Sequence, residues 1–357
     1  MKLHNFSAGP SILPNSVFEQ AAAAVLNFDN MGLSILEISH RSKEFYAVMD
    51  ESVALVKELL SLPSGYEVLF LQGGASSQFS MVPYNLLPEG GKACFLDTGV
   101  WSSKAIIEAA KFGKTSIAAS SKDKNYSYIP TQYEIDKDAN YFHITTNNTI
   151  FGTELFDFPN SPNPMVADMS SDIFSRPMDF SAFDLVYAGA QKNLGPAGAT
   201  LVIVNPSISG KTGRNLASMW DYATFIKENS LYNTPAVFPI YVCLLTLRWL
   251  KAQGGVAEME KRNIAKSNLL YAEIDRNPLF YGQVAKENRS RMNPVFRLHD
   301  ESREKEFSKF VEDKGIVGIN GHRLSGGFRA SMYNALPIES VQVLVDAMKE
   351  FGKNNGE

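Results

Sequence analysis

Cysteine is scarce: 357 residues carry two, Cys94 and Cys243, both inside apolar runs. So sparse a set excludes a disulfide framework and fits reduced, buried thiols in a cytoplasmic protein. An excess of positive charge is also missing. Lys and Arg number 34 against 38 Asp and Glu, a formal net charge of −4, so no basic field argues for nucleic acid. No apolar run suits a bilayer: the longest, Ala236 to Leu250, is short and contains Pro239 and Arg248, so no membrane association is expected. The opening Met1-Lys-Leu-His-Asn-Phe-Ser-Ala-Gly-Pro10 has no apolar h-region, and the expectation is a cytoplasmic chain without a secretory signal. His-Glu-x-x-His, paired Cys-x-x-Cys and Gly-x-Ser-x-Gly do not occur, so no metal is expected. Gly113-Lys-Thr115 and Gly210-Lys-Thr212 look like the tail of a phosphate loop, but the glycine needed five positions earlier is Glu108 in one and Asn205 in the other.

What is there is an ordinary globular composition, 45% hydrophobic and 20% charged, long enough for one large and one smaller domain. Pro14 opens a helix reaching about Asn27, and Ser42 caps another that runs through Leu60. Glu67–Leu71 is a strand, and Gly73-Gly-Ala-Ser-Ser-Gln78 leads straight into a helix through Leu87. The alternation continues with strands at Ala93–Leu96, Thr115–Ala119, Tyr141–Thr145, Met165–Ala167, Leu185–Ala188 and Thr200–Val204, and a helix at Trp101–Phe112. This pattern predicts an α/β fold with a mostly parallel central sheet flanked by helices, its ligands lying beyond the carboxyl ends of the strands. From Ala236 the texture changes to two long helices, about Phe238–Lys251 and Val256–Arg276, separated by Gly254-Gly255. A small α+β unit follows: strand Met292–Leu298, helix Glu304–Lys314, strand Gly327–Met332, helix Ile338–Phe351. The boundary falls near Gly254, giving a large domain over 15–254 and a smaller C-terminal domain over 255–357, with residues 1–14 packing on the smaller one.

The stretch Leu185-Val-Tyr-Ala-Gly-Ala-Gln-Lys-Asn-Leu-Gly-Pro-Ala-Gly198 places Lys192 on a small-residue turn between two buried strands. Its stem must lie against the core with its amine in a cavity, where desolvation lowers the pKa and frees the lone pair for Schiff-base chemistry. The ordinary alternative is a lysine that snorkels to water. Gly73-Gly-Ala-Ser-Ser77 stands between strand and helix, where glycines and open N–H groups suit an anion, or where it is a plain turn with a serine cap. Asp168 closes an apolar strand at the same edge and could hold a protonated ring nitrogen; Asp172 and Asp184 compete but close no strand so clearly. Trp101 could stack on a ring or simply fill the core. His40-Arg41, His322-Arg323 and Arg329 are cations in loop or strand-end contexts, suited together to a substrate with more than one anionic group. His143 reads as a hydrogen-bonded core histidine.

Across essentially its whole length the chain resembles the phosphoserine aminotransferases, pyridoxal-phosphate enzymes of the aspartate-aminotransferase fold (fold type I, class V). The resemblance is carried by Asn5-Phe-Ser-Ala-Gly-Pro10, Ser39-His-Arg41, Val166-Ala-Asp-Met-Ser-Ser171, Tyr187-Ala-Gly-Ala-Gln-Lys-Asn-Leu-Gly-Pro196, Tyr232-Asn-Thr-Pro235, Gly321-His-Arg323 and Phe328-Arg-Ala-Ser-Met-Tyr-Asn334. It implies that Lys192 is joined to the aldehyde of pyridoxal 5'-phosphate, that Asp168 pairs with the ring nitrogen and that Trp101 stacks on the ring. Ala75, Ser76, Gln191 and Thr149 would contact the phosphate and phenolic edge. Asn233 and Thr234 would reach the cofactor of a neighbouring subunit, which implies a homodimer. Arg41 would hold the amino-acid carboxylate, and His40, His322 and Arg329 the phosphate or side-chain carboxylate. The implied reaction moves an amino group from glutamate to 3-phosphohydroxypyruvate, with a phosphorylated hydroxythreonine of vitamin B6 synthesis as a further substrate. One departure stands out: many members carry arginine or threonine where this chain has Ser76, so the remaining cations must do more here. The rival readings are another class-V enzyme, such as a cysteine desulfurase, and a non-catalytic pyridoxal-phosphate binder; two cysteines in apolar runs count against the desulfurase.

Overall fold

The computed structural model describes residues 3–353. β1 (His4–Asn5) comes first, then α1 (Asn15–Leu26), with Pro14 at its N-cap. α2 (Lys43–Leu59) is capped as expected: the Ser42 hydroxyl accepts the Phe45 N–H at 3.2 Å. The α2 stripe Phe45, Val48, Met49, Leu55, Val56 and Leu59 is buried, which is why this polar sequence forms a helix against a core. The Rossmann-like alternation follows in β2 (Glu67–Leu71), α3 (Gly74–Leu86), β3 (Lys92–Asp97), α4 (Val100–Ala109), β4 (Lys114–Ser120) and β5 (Tyr141–Thr145). Two short strands, β6 (Asn147–Asn148) and β7 (Thr153–Glu154), form a hairpin before β8 (Met165–Asp168), β9 (Leu185–Gly189) and β10 (Thr200–Val204).

The seven-stranded sheet has the order β2-β10-β9-β8-β5-β3-β4. The β9–β8, β8–β5, β5–β3 and β3–β4 pairs are parallel, whereas β10 runs antiparallel to both neighbours. The stretch from Ala190 to Ala199 is too short for a parallel crossover, so the chain turns straight back after Lys192. The carboxyl ends of β2, β3, β5, β8 and β9 therefore share one edge. The sheet strands are apolar on both faces because helices cover both. One face packs on α1, α2 and α6 (Val237–Ala252); the other meets α3, α4 and α5 (Tyr222–Lys227) through Phe79, Val82, Ala105 and Phe225.

A separate core is built from α7 (Gly255–Arg276), β11 (Phe280–Gly282), β12 (Val295–Leu298), α8 (Glu304–Asp313), β13 (Ile316–Val317), β14 (Phe328–Arg329) and α9 (Ile338–Lys353). Phe6 is wholly buried in this core, and β1 pairs in parallel with β13. Phe307 meets Phe280, Phe328 and Phe351 edge-on at 5.0–5.1 Å, each contact adding about 0.5–1.5 kcal/mol beyond burial. α7 joins the units, giving Met259 to the sheet core and Leu270 and Ile274 to the second.

Two expected strands are shorter than the apolar pattern suggests. Residues 292–294 leave the ladder because the Ser290 hydroxyl accepts the N–H groups of Met292 and Asn293. After Arg329 the chain runs on as a strap to Asn334, its N–H groups bonded in turn to Pro294, Phe6 and Met292 rather than to one strand. Among the described residues no helix is long and apolar enough to cross a membrane.

Candidate active site

The lysine turn is held from several sides. Gly189 N–H donates to Ser170 Oγ at 3.1 Å, and Gly195 approaches Cys243 so closely that a Cβ there would lie 2.6 Å from its Sγ. The N-terminal loop grips the other side: Ser11 N–H donates to the Gln191 carbonyl at 3.0 Å and Ser11 Oγ to the Lys192 carbonyl at 2.5 Å. Asn334 N–H reaches Asn193 Oδ1 at 2.9 Å, tying the strap to the turn. With its backbone fixed, Lys192 can direct its amine one way, and it lines a cavity of about 400 Å3 at the carboxyl edge of the sheet. Among the described residues that amine has no hydrogen-bond or ion-pair partner; its nearest recorded contact is the Trp101 ring, 5.8 Å to the centroid. Burial lowers its pKa, Asp168 and Asp172 oppose that, and Arg329 adds to it.

Asp168, the last residue of β8, lies on the same cavity and is 5% exposed. Its Oδ1 accepts the Ser170 N–H at 3.0 Å. Burial raises its pKa, and Lys192 and Ser170 pull it back. Both groups are thus pushed toward neutrality until a cation reaches the carboxylate.

Trp101, in the first turn of α4, is pinned by its Nε1–H, which donates to Thr149 Oγ1 at 2.9 Å. The Thr149 carbonyl accepts Arg329 Nη1–H at 3.0 Å, while Arg329 Nε is buried without a partner. That unsatisfied donor, on a guanidinium that lines the cavity, leaves Arg329 with hydrogen-bonding capacity for a carboxylate. His322 Nδ1 accepts the Leu324 N–H at 3.2 Å, which places its proton on Nε2. Burial lowers the His322 pKa, and Arg329, Arg323 and Lys104 lower it further.

The far wall is the N-terminus of α3. Gly73 and Gly74 take φ of +95° and +68°, and a Cβ on Gly73 would collide with the Ser77 hydroxyl. Ala75 and Ser76 follow on the cavity wall with first-turn N–H groups that have no intrahelical acceptor. An anion is stabilised there by those donors and by the helix dipole.

Of the residues singled out from sequence, Ala75, Ser76, Trp101, Thr149, Asp168, Gln191, Lys192, His322 and Arg329 line this one cavity. His40, Arg41, Asn233 and Thr234 do not. Arg41 is exposed, its Nε 3.4 Å from His40 Nε2. Asn233 lines an adjoining cavity of about 300 Å3 that shares Gly73, and Thr234 is exposed. Sequence reasoning passed over Ser170, which braces both Asp168 and Gly189; a serine two residues after a strand-end aspartate is the signal that could have found it. It set aside Asp172, which is wholly buried beside Thr146 and pushed up to about 7 by burial and by Glu154. His143 is buried and bonded to the Tyr187 hydroxyl at 2.8 Å, with its pKa pushed down to about 3 by burial. Cys94 and Cys243 are free and buried.

The donor set fits one kind of group: a flat ring with an anionic arm toward α3, a basic nitrogen toward Asp168 and a carbonyl carbon toward Lys192. The chain is similar to proteins that carry such a group. The profile of "Aminotransferase class-V" matches residues 3–344. The phosphoserine aminotransferase of Flavobacterium johnsoniae is 62% identical over 350 residues, 98% of each chain. The solved phosphoserine aminotransferase from Bacillus circulans subsp. alkalophilus superposes with a TM-score of 0.97 at 45% identity over 99% of both chains. The pyridoxal-phosphate-bound phosphoserine aminotransferase from Trichomonas vaginalis does so with a TM-score of 0.94 at 36% identity, over 98% of this chain and 100% of that one. The chain belongs to the class-V aminotransferases and, within them, to the phosphoserine aminotransferases.

Proposed function

We propose that this chain transfers the amino group of glutamate to 3-phosphohydroxypyruvate, giving 2-oxoglutarate and phosphoserine, with pyridoxal 5'-phosphate in the Lys192 cavity. The observation that carries the reading is an unpaired amine and a buried carboxylate on one cavity whose mouth is cationic. Pyridoxal phosphate, when bound, supplies an electron sink and carries the amino group between the two substrates.

The residues divide the remaining work. The N–H groups of Ala75 and Ser76 hold the phosphate arm at the dipole end of α3. Asp168 keeps a proton on the ring nitrogen, because a buried carboxylate facing a cation is far more stable ionised than one facing none. Trp101 covers the ring, its orientation set by Thr149. Lys192, its amine neutral through desolvation, takes the proton from the substrate α-carbon and returns it. Arg329 lines the same cavity as Lys192, and its guanidinium bonds the Thr149 carbonyl there. Its guanidinium, with Nε unpartnered, suits the α-carboxylate, a role that the family resemblance gives to Arg41; Arg41 does not line the cavity of its own chain. His322, on the same cavity, is left to meet the substrate's phosphate.

The active unit is a homodimer in this reading. Asn233 and Thr234 lie outside their own chain's cavity, beside the exposed Met219, Trp220 and Tyr232, an apolar patch suited to a second copy. The two buried thiols support a cytoplasmic location and leave no nucleophile for desulfuration.

The test is formation of 2-oxoglutarate from glutamate with 3-phosphohydroxypyruvate or with hydroxypyruvate. The phosphorylated acid should be preferred by at least about a hundredfold in kcat/KM. A yellow protein inert with both would mean a cofactor binder without transaminase activity.

A further inference from the structure

Lys104 lies on α4, three residues after Trp101, and residues so spaced share a helix face. Its Nζ sits over the Trp101 ring, 4.7 Å from the centroid, and Trp101 is a wall of the Lys192 cavity. The indole is fixed by Thr149, so Lys104, itself exposed, keeps its ammonium beside a held wall of the cavity. The acids nearest to it in the chain are engaged elsewhere. Glu108, four residues on, pairs with Lys111 at 2.7 Å and accepts from Ser80, and Asp97 is taken by the hydroxyls of Ser102, Ser103 and Ser120. Among the described residues Lys104 has no carboxylate partner. With Arg329 and Arg323 it is one of the cations that, after burial, lower the His322 pKa. Cations gathered without a counter-ion repel one another, and an arriving anion relieves that repulsion. The opposite wall offers no charge, since Ser76 is neutral.

We propose that Lys104 helps His322 hold the phosphate of the keto acid and is thereby a specificity-determining residue for phosphorylated over unphosphorylated substrates. This rests on the substrate reading above. A phosphate dianion gains more from an added unit charge than a singly charged group does, so Lys104 weights the site toward the phosphorylated acid.

The experiment compares Lys104→Gln and Lys104→Arg holoenzymes with the unsubstituted one on 3-phosphohydroxypyruvate and hydroxypyruvate at low and high salt. Lys104→Gln should raise KM for the phosphorylated acid about tenfold, with kcat within about twofold and KM for hydroxypyruvate moving less than about twofold. It should also flatten the salt dependence of the first KM, and Lys104→Arg should restore both. An unaltered KM, or an equal rise for both keto acids, overturns the assignment; the equal rise would mean that Lys104 acts by propping Trp101. If the unsubstituted enzyme does not prefer the phosphorylated acid, the substrate reading itself fails, which the Lys104 variants alone cannot produce.

Discussion

At the scale of single residues the chemistry turns on two groups that burial drives toward neutrality. Lys192 gains a free lone pair from it, and Asp168 gains a strong preference for a cationic neighbour. Asp168→Asn keeps the shape and the Ser170 contact but cannot hold a proton on the ring nitrogen. Turnover should fall by about a thousandfold while the visible absorbance of bound cofactor persists and substrate KM changes little. Loss of the cofactor with no further defect would make Asp168 a structural acid. Lys192 was legible in the sequence because a lone lysine on a glycine-flanked turn between apolar strands has few places to go. The Ser170 bond to Gly189 and the unpartnered Nε of Arg329 were not, since both depend on residues far apart in the chain; only the Ser170 contact with Asp168, two residues away, left a local signal.

At the scale of elements the strap from Arg329 to Asn334 links the parts of the site. Arg329 reaches Thr149, the Tyr333 hydroxyl donates to the Ala8 carbonyl at 2.7 Å, and Asn334 holds Asn193 beside Lys192. The strap is secured from α7 by Lys266, 2% exposed, whose Nζ donates to the carbonyls of Met332 at 3.0 Å and Tyr333 at 2.8 Å. A neutral amine still has two N–H groups for two carbonyls, and burial pushes Lys266 down to about 7. Between about pH 7 and the ordinary lysine range the unfolded chain binds the extra proton, so this group makes stability rise with pH there, and its contribution is least below 7. Lys266→Met should lose about 1–3 kcal/mol by orphaning two carbonyls. The deficit relative to the unsubstituted chain should widen from pH 7 to 9 in denaturant melts; a constant deficit would mean that Lys266 stays charged. The long helices and the strands of the large sheet were legible mostly to within a residue or two because apolar spacing fixes them, whereas α4 ends three residues before the expected Phe112 and the short α5, β6, β7, β11 and β13 carry too few residues to show a period. The strap was read as a strand because its apolar residues suit one, and the bonds that scatter its N–H groups come from distant segments. The reversal of β10 was not among the expectations, although the short connection from Ala190 to Ala199 requires it.

At the scale of the whole molecule, the sheet core, the second core and the N-terminal loop meet at one cavity, so the site depends on all three. The His40-Arg41 and Asn233-Thr234 motifs were readable as sequence, but one folded chain leaves them outside its own site; on the dimeric reading proposed above, a second copy would have to bring such residues to it, and a position set that way has no local signal. Trp220→Asp, placed in the exposed apolar patch, should shift the sedimenting species from two chains to one at micromolar concentration and weaken cofactor binding; an unaltered dimer would move the interface elsewhere. The most direct measurement begins with the purified chain and pyridoxal phosphate, followed by borohydride reduction and peptide mass mapping. One pyridoxyl adduct on Lys192 is the expected result. An adduct confined to another lysine, or none at all, would contradict the assignment of this cavity.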